Sequence, residues 1–226
     1  MEFTLSEAWK RTYPGAAVGV LAMSEVANPR RHELLAERKK ELEQELRTQY
    51  AGWDRAALKG LPVLQAYREY YKRFKKTYHV QLQLESIVFK GKAIAEVAAL
   101  VEAMFMAELK NLLLTAGHDV AALQAPVGID VASGNERYVR LNGQKQQLKA
   151  GDMMISDGEG VISSILHGPD SRTRITPDSH HILFTVYAPP GIEPEAVRAH
   201  LRDLQSNALI IAPAAQVDLL QVHMAE

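Results

Sequence analysis

The chain has no cysteine. That removes disulfides, thiolate metal sites and thiol nucleophiles together, and leaves any chemistry to hydroxyls, histidines, carboxylates and bound water. Long apolar runs are missing as well. The longest early one, residues 16–23, has eight residues, where a membrane span needs about 20. It lacks the basic flank and cleavage pattern of a signal peptide, so a cytoplasmic address and no membrane partner are expected. Neither sign of charge dominates: 26 Lys and Arg against 27 Asp and Glu give a net charge of −1. Any grip on a polyanion must then come from a local patch, since the overall field supplies none. The sequence also holds no GxxxxGK or GxGxxG cradle, no HExxH and no GxSxG elbow. The usual parts of ATP-dependent chemistry, zinc hydrolysis and serine-nucleophile catalysis are therefore absent. His180 and His181 are adjacent, but successive strand side chains point to opposite faces, so neither a metal nor a cofactor is expected.

What is present is enough for one substantial core: 226 residues, 47% of them hydrophobic and 23% charged. Helical patterns come first and strand patterns cluster later, which argues α+β. The expected architecture is a single domain over residues 1–226, with a mixed or antiparallel sheet packed by helices and a helical N-terminal part over 28–76. Residues 1–12 read as a short helix or strand, and 16–23 as a buried strand. Asn28-Pro29 reads as an N-cap with proline at N1, opening a charged helix over 30–50. Residues 63–76 form a second helix with Leu64, Tyr67, Tyr71 and Phe74 on one side. It is the most basic segment, carrying Arg68, Lys72, Arg73, Lys75 and Lys76 against Glu69 alone. Aromatics among basic residues can stack bases and bind phosphates; aromatics at helical spacing also build cores, and both readings stay open. A short helix over 82–89 is followed by a long apolar one over 93–115, stopped at Ala116-Gly117. The AGHD stretch then places His118 on a turn. Strands follow at 127–132 and 137–141, with Asn142-Gly143 as a hairpin signal into 144–148. A helix over 193–206 and a late strand or docking tail over 208–212 close the chain.

The stretch 150–190 organises the rest. Residues 153–156 and 161–166 are short apolar strands around the turn Asp157-Gly158-Glu159-Gly160. Residues 181–187 are too continuously apolar for a strand with one wet face. Between them runs His167-Gly168-Pro169-Asp170-Ser171-Arg172-Thr173-Arg174. Polar groups crowded onto a loop between buried strands are a common setting for a binding site. The expected core places 161–166 and 181–187 as central strands beneath the 93–115 helix.

The runs GDMMISDGEGVI and HGPDSRTRITPDSHHILFTV resemble the tRNA-editing module, the B-three/B-four domain, of the phenylalanyl-tRNA synthetase beta subunit, and more closely its freestanding single-domain relatives. The resemblance is strongest over 151–190, where Ser171-Arg172-Thr173-Arg174-Ile175-Thr176 matches an SDRTKIT-like run of the family. It implies an α+β domain that binds the aminoacylated 3′ end of a tRNA, with no DNA partner, and that acts as an aminoacyl-tRNA deacylase. One methylene of difference between amino acids is worth only about 1–3 kcal/mol, which is why synthetases hydrolyse mistakes at a second site. Implied for substrate binding are His118, Ser164, His167, Gly168, Asp170, Ser171, Arg172 and Thr173. His167 is the candidate catalytic group, as a neutral hydrogen-bonding partner or a proton shuttle. Arg172 either holds a phosphate or carboxyl or pairs with Asp170 or Asp178. For Asp170 and Ser171, ligand recognition competes with loop capping. The pocket is expected between the 167–173 loop and the turn carrying His118, with Arg68, Lys72, Arg73, Lys75 and Lys76 as an RNA-binding stripe.

The departures from the family pattern also matter. Ser171 stands where the synthetase module has a glutamate that holds a tyrosine hydroxyl, and the family's histidine position falls at Ala116, so tyrosine specificity does not carry over. Two rival readings remain: a non-catalytic pocket for a small amino-acid-like or nucleotide ligand, and an RNA- or protein-interaction module.

Overall fold

In the computed structural model, which describes residues 2–226, the chain runs β1 (Phe3–Leu5), α1 (Glu7–Thr12), β2 (Ala17–Ser24), α2 (Glu33–Gln49), α3 (Arg55–Lys59), α4 (Pro62–Lys72), α5 (His79–Lys90) and α6 (Ala99–Asn111). There follow β3 (Leu114–Asp119), a 3₁₀ turn (Val120–Ala122), β4 (Val127–Val131), β5 (Arg137–Val139), β6 (Lys145–Gln147), β7 (Met153–Ser156), β8 (Val161–Ser164) and β9 (Gly168–Pro169). The chain ends with β10 (His181–Ala188), α7 (Pro194–Ile211) and β11 (Gln216–Met224). The class is α+β, with helices first and strands clustered later.

The strands divide between two sheets and a ribbon. One sheet has the order β1-β4-β7-β8-β9, with β1 parallel to β4 and its other pairs antiparallel. The second, β11-β2-β10-β3, is wholly antiparallel. β5 and β6 form the hairpin that Asn142-Gly143 signals, with Gly143 at φ 79°. The two strands expected as central beneath one helix therefore lie in different sheets, β8 in the first and β10 in the second. The continuous apolarity of β10 reflects its place between β2 and β3, where every residue after His181 is buried. α7 packs against β2 so closely that a Cβ on Gly19 would stand 2.7 Å from Val197.

Helix α4 ties the sheets together through its aromatic face. Tyr67, Tyr70, Tyr71 and Phe74 are all buried. Tyr67 stacks on Tyr78 at 4.0 Å, donates to the Tyr187 carbonyl and accepts the Leu114 amide at 2.8 Å. Tyr71 donates to the Ile165 carbonyl at 2.6 Å. These rings are core, and their faces are closed to nucleobases.

Several boundaries differ from expectation, each through a distant partner. Asn28 does not cap α2, which begins at Glu33 with His32 as its N-cap. Asn28 instead accepts the Leu100 amide at 3.0 Å and donates to the Thr176 carbonyl at 3.0 Å. The apolar helix spans Ala99–Asn111 rather than 93–115. Before it, Glu43 takes the Ile94 amide at 2.8 Å and Glu102 the Val97 amide at 2.9 Å, holding 93–98 extended. Beyond it, Leu112 at φ 60° ends the helix and the chain turns into β3. The AGHD stretch is accordingly strand, not turn: Ala116, Gly117, His118 and Asp119 pair with β10. Gly117 is there for space, since a Cβ would meet Ile175 at 2.8 Å. Residues 208–211 belong to α7, and the last strand comes later, as β11 along the whole of β2.

Candidate functional site

The 165–174 loop is built from below by its own short-range bonds and from the side by β3. Asp170, 4% exposed, accepts both the amide (3.0 Å) and the hydroxyl of Thr173. Thr173 Oγ1 lies 2.7 Å from His118 Nδ1. Neither Thr173 nor His118 has exposed surface, so the space expected to hold ligand between loop and His118 is filled by Thr173. Burial pushes the His118 pKa down to about 3, the nearby Arg172 charge adding to this and Asp157 opposing it, so the ring is neutral and acts as a packed strut. Arg172 pairs with Asp157 at 2.8 Å, Glu159 at 3.4 Å and Asp170 at 3.8 Å, and donates to the Ala122 carbonyl at 2.7 Å. Of its two expected partners, Asp170 is found; the closest is one that sequence spacing did not suggest. Burial raises the Asp157 pKa, but the Gln124 amide, Arg172 and the Glu159 and Gly160 amides outweigh it and hold the carboxylate ionised. Ser171 donates its amide to the Val139 carbonyl at 2.8 Å.

The other end of the loop is different in kind. Ser164 is buried at the end of β8, and its hydroxyl accepts the His167 amide at 3.2 Å. Gly168, at φ 77°, gives its carbonyl to Tyr138 at 2.8 Å. His167 is half-buried, with Lys76 Nζ 3.4 Å from its Nδ1 and with no hydrogen-bond partner for Nε2. Burial lowers its pKa to about 4, helped by the charges of Lys76, Arg140 and Lys149. At neutral pH it is an uncharged ring rimmed by three cations. Asp152, just before β7, is fully buried, and its Oδ1 accepts the Tyr70 hydroxyl at 2.7 Å while Oδ2 has no partner. Burial raises its pKa to about 7, against the Tyr70 hydrogen bond and the Lys76 charge. A buried carboxyl raised toward neutrality and an unpartnered imidazole, both within reach of the Lys76 charge, are perturbed groups of the kind that cluster at functional sites. Among the described residues, no group of three or more His, Asp or Glu could hold a metal ion.

Residues 65–212, well over half of the chain, match the B3/4 domain family. The chain belongs to this family. Comparison with curated protein sequences returns no match. A crystallised N-terminal fragment of the phenylalanyl-tRNA synthetase beta subunit from Pyrococcus horikoshii is similar over 98% of this chain and 56% of that one, at 11% identity and a TM-score of 0.48. The chain thus spans little more than half the length of that fragment.

Within the B3/4 domain, the expected site residues separate into two groups. His118, Asp170, Arg172 and Thr173 are brought together and bond to one another and to Asp157, with His118 Nε2 left without a partner. Ser164, His167 and Gly168 gather on the Asp152 side. Of the basic stripe, Arg73 sits over the Tyr13 ring at 5.1 Å, while Arg68, Lys72, Lys75 and Lys76 face a separate cavity. Lys76 alone reaches both. Sequence reasoning missed Asp152, Tyr70, Tyr138, Arg140 and Lys149. Asp152 had a signal, a carboxylate at the mouth of the apolar Met153–Ser156 strand. Tyr70 joined through the packing of α4 on β7, and Tyr138, Arg140 and Lys149 through the β5–β6 hairpin and its flanks.

Proposed function

We propose that this B3/4 domain binds the aminoacylated 3′ end of a tRNA at the His167 centre and hydrolyses the ester of a mischarged one. The observation that carries the reading is His167 itself, uncharged, with Nε2 unpartnered and with Lys76, Arg140 and Lys149 around it. An aminoacyl ester is already activated, so positioning of water and stabilisation of the developing oxyanion suffice without a covalent nucleophile. With Nδ1 accepting from the Lys76 ammonium, the neutral ring carries its proton on Nε2 and can donate it in a hydrogen bond to the ester carbonyl oxygen as charge develops there. With a pKa of about 4 the ring is a weak base, and orientation counts for more than proton abstraction. The neighbouring cations supply the field that favours charge on the carbonyl oxygen, a contribution that elsewhere reaches about 10²–10³ in rate for a single donor. The attacking water gives up a proton to solvent as its oxygen bonds to the carbonyl carbon, the bond from that carbon to the ribose oxygen breaks, and the ribose oxygen takes up a proton from solvent. Family membership and the SRTRIT run support the choice of an aminoacyl-tRNA end over other esters; the address that fits this partner is cytoplasmic.

The test is calorimetric titration with 3′-deoxy-3′-aminoacylamino-adenosine analogues, whose amide replaces the ester and resists hydrolysis. Binding that weakens at least tenfold in His167→Ala and in Arg140→Ala supports the assignment. Equal binding by the parent and both variants removes the ligand from this centre.

A further inference from the structure

A second feature of the basic segment lies outside the His167 centre. The chain turns at Lys75 in the left-handed region, φ 56°, where a residue with a side chain is uncommon. The turn sets Arg68, Lys72, Lys75 and Lys76 along one wall of a cavity of about 590 Å³, and Arg55 and Lys59 from α3 come to it as well. These six basic residues face only two acidic ones, Glu69 and Glu85. Arg55 is held by Glu85 at 3.1 Å, but Lys59, Lys72 and Lys75 have no carboxylate within ion-pair distance among the described residues. The cavity also opens on the first turn of α5, whose N-cap residue Tyr78 lines it. No side chain caps this helix and no acidic residue sits in its first turn. Free amides at a helix N-terminus favour anions.

A further observation points to a ligand with more than charge. Gln81, 2% exposed, lines the same cavity and has Oε1 without a hydrogen-bond partner. Its orientation is set, because Nε2 donates to Glu85 at 2.8 Å and a carboxylate can only accept. A buried acceptor left open beside a cationic wall calls for a donor on an otherwise anionic molecule. A phosphodiester strand with ribose 2′-hydroxyls has both, and DNA has the phosphates without that donor; an acidic peptide offers amide donors but presents carboxylates in place of phosphates.

We propose that this cavity binds the sugar–phosphate backbone of an RNA strand, with Lys59, Lys72, Lys75 and the α5 amides on phosphate and Gln81 Oε1 accepting a 2′-hydroxyl. The assignment rests on the reading of tRNA as partner. It extends that reading to a second contact, joined to the first by Lys76, whose side chain lines the cavity and also stands beside His167.

The experiment measures binding of unacylated tRNA, a DNA oligonucleotide of the same sequence and a polyglutamate peptide over a range of salt, for the parent, Lys72→Glu/Lys75→Glu and Gln81→Met. The parent should prefer RNA to DNA. The double charge reversal should weaken RNA binding at least tenfold and flatten the slope of log K against log salt by about 1.5, the share of two phosphate contacts. Gln81→Met should abolish the RNA-over-DNA preference while DNA affinity stays within about twofold. Binding of the aminoacyl-adenosine analogue should not respond to Lys72→Glu/Lys75→Glu, which separates failure of this site from failure of the His167 centre. Lys72 and Lys75 are exposed, and melting temperatures control for folding of all variants. An unchanged salt slope in the double reversal, or displacement of RNA by polyglutamate at equal charge, overturns the proposal.

Discussion

The Tyr70 hydroxyl stands between Asp152 and the start of strand β7: it donates to Asp152 Oδ1 at 2.7 Å and accepts the Met153 amide at 2.6 Å. One phenol thus satisfies a fully buried carboxyl and a buried strand amide. Tyr70→Phe leaves both unpaired, at a cost of about 1–3 kcal/mol for each buried group. Chemical denaturation should show a loss of about 2–6 kcal/mol for the two together, with the ring packing on Tyr13 and Phe74 retained. A loss under about 0.5 kcal/mol, the range of an ordinary surface change, would mean that water reaches Asp152 freely.

Stability should peak between about pH 6 and 7, because two sets of buried groups oppose each other. Burial depresses the pKa values of His118, His167, His200 and His223, with His118 near 3 and His167 and His200 near 4. These rings stay neutral in the fold while the unfolded chain protonates them near 6.5, so stability falls as the pH drops below that value. Asp152 and Glu108 run the other way, raised by burial to about 7 and about 8. Their contribution is full below the ordinary carboxyl range and is lost as the pH rises to 7 and 8. Urea titrations from pH 5 to 9 should trace the dome, and Asp152→Asn should flatten its alkaline side. A steady rise in stability from pH 6 to 9 would contradict the protonated carboxyls.

The His118–Thr173–Asp170 relay is expected to be structural. Thr173→Val strips the hydroxyl from between two buried polar groups and should lower stability by about 2 kcal/mol or more, while the analogue affinity at the His167 centre falls less than about threefold. Full stability with lost binding would move the ligand to the His118 side.

Lys39 and Glu102 form a buried pair at 2.7 Å, and Glu102 also fixes the Val97 amide. Lys39→Met removes one partner and leaves the other charge stranded, which should cost about 3–5 kcal/mol. Most of this should return in Lys39→Met/Glu102→Gln, where no unpaired charge is left. A double variant as unstable as the single one would show that the pair itself, and not the stranded carboxylate, carries the effect.

Much of the fold was legible where a residue's role is local. Val18, Leu21 and Phe184 announced buried strands, Gly91 a helix end, and Asn142-Gly143 a hairpin. The misreadings came where a polar side chain acts at a distance. Nothing near Ala93 shows that Glu43 and Glu102 will take its neighbours' amides, and nothing near Asn28 shows that Leu100 and Thr176 are its partners. The site divides the same way. His167 and Ser164 were visible within one loop, but Lys76, Arg140 and Asp152 converge on them from three other segments. The aromatic spacing of Tyr67 and Tyr71 was compatible with core or stacking, and burial against β10 and the β8–β9 connection decided for core.

The most direct test of the account is deacylation of a panel of tRNAs, each carrying a noncognate amino acid, by the parent protein and by His167→Ala. Hydrolysis of at least one member above the spontaneous rate is predicted, with a loss of at least tenfold in the variant, a melting temperature within about 2 °C of the parent, and no inflection in the rate near pH 6.5, because His167 is already neutral there. Failure of the parent to hydrolyse any member, or full activity in His167→Ala, would contradict it.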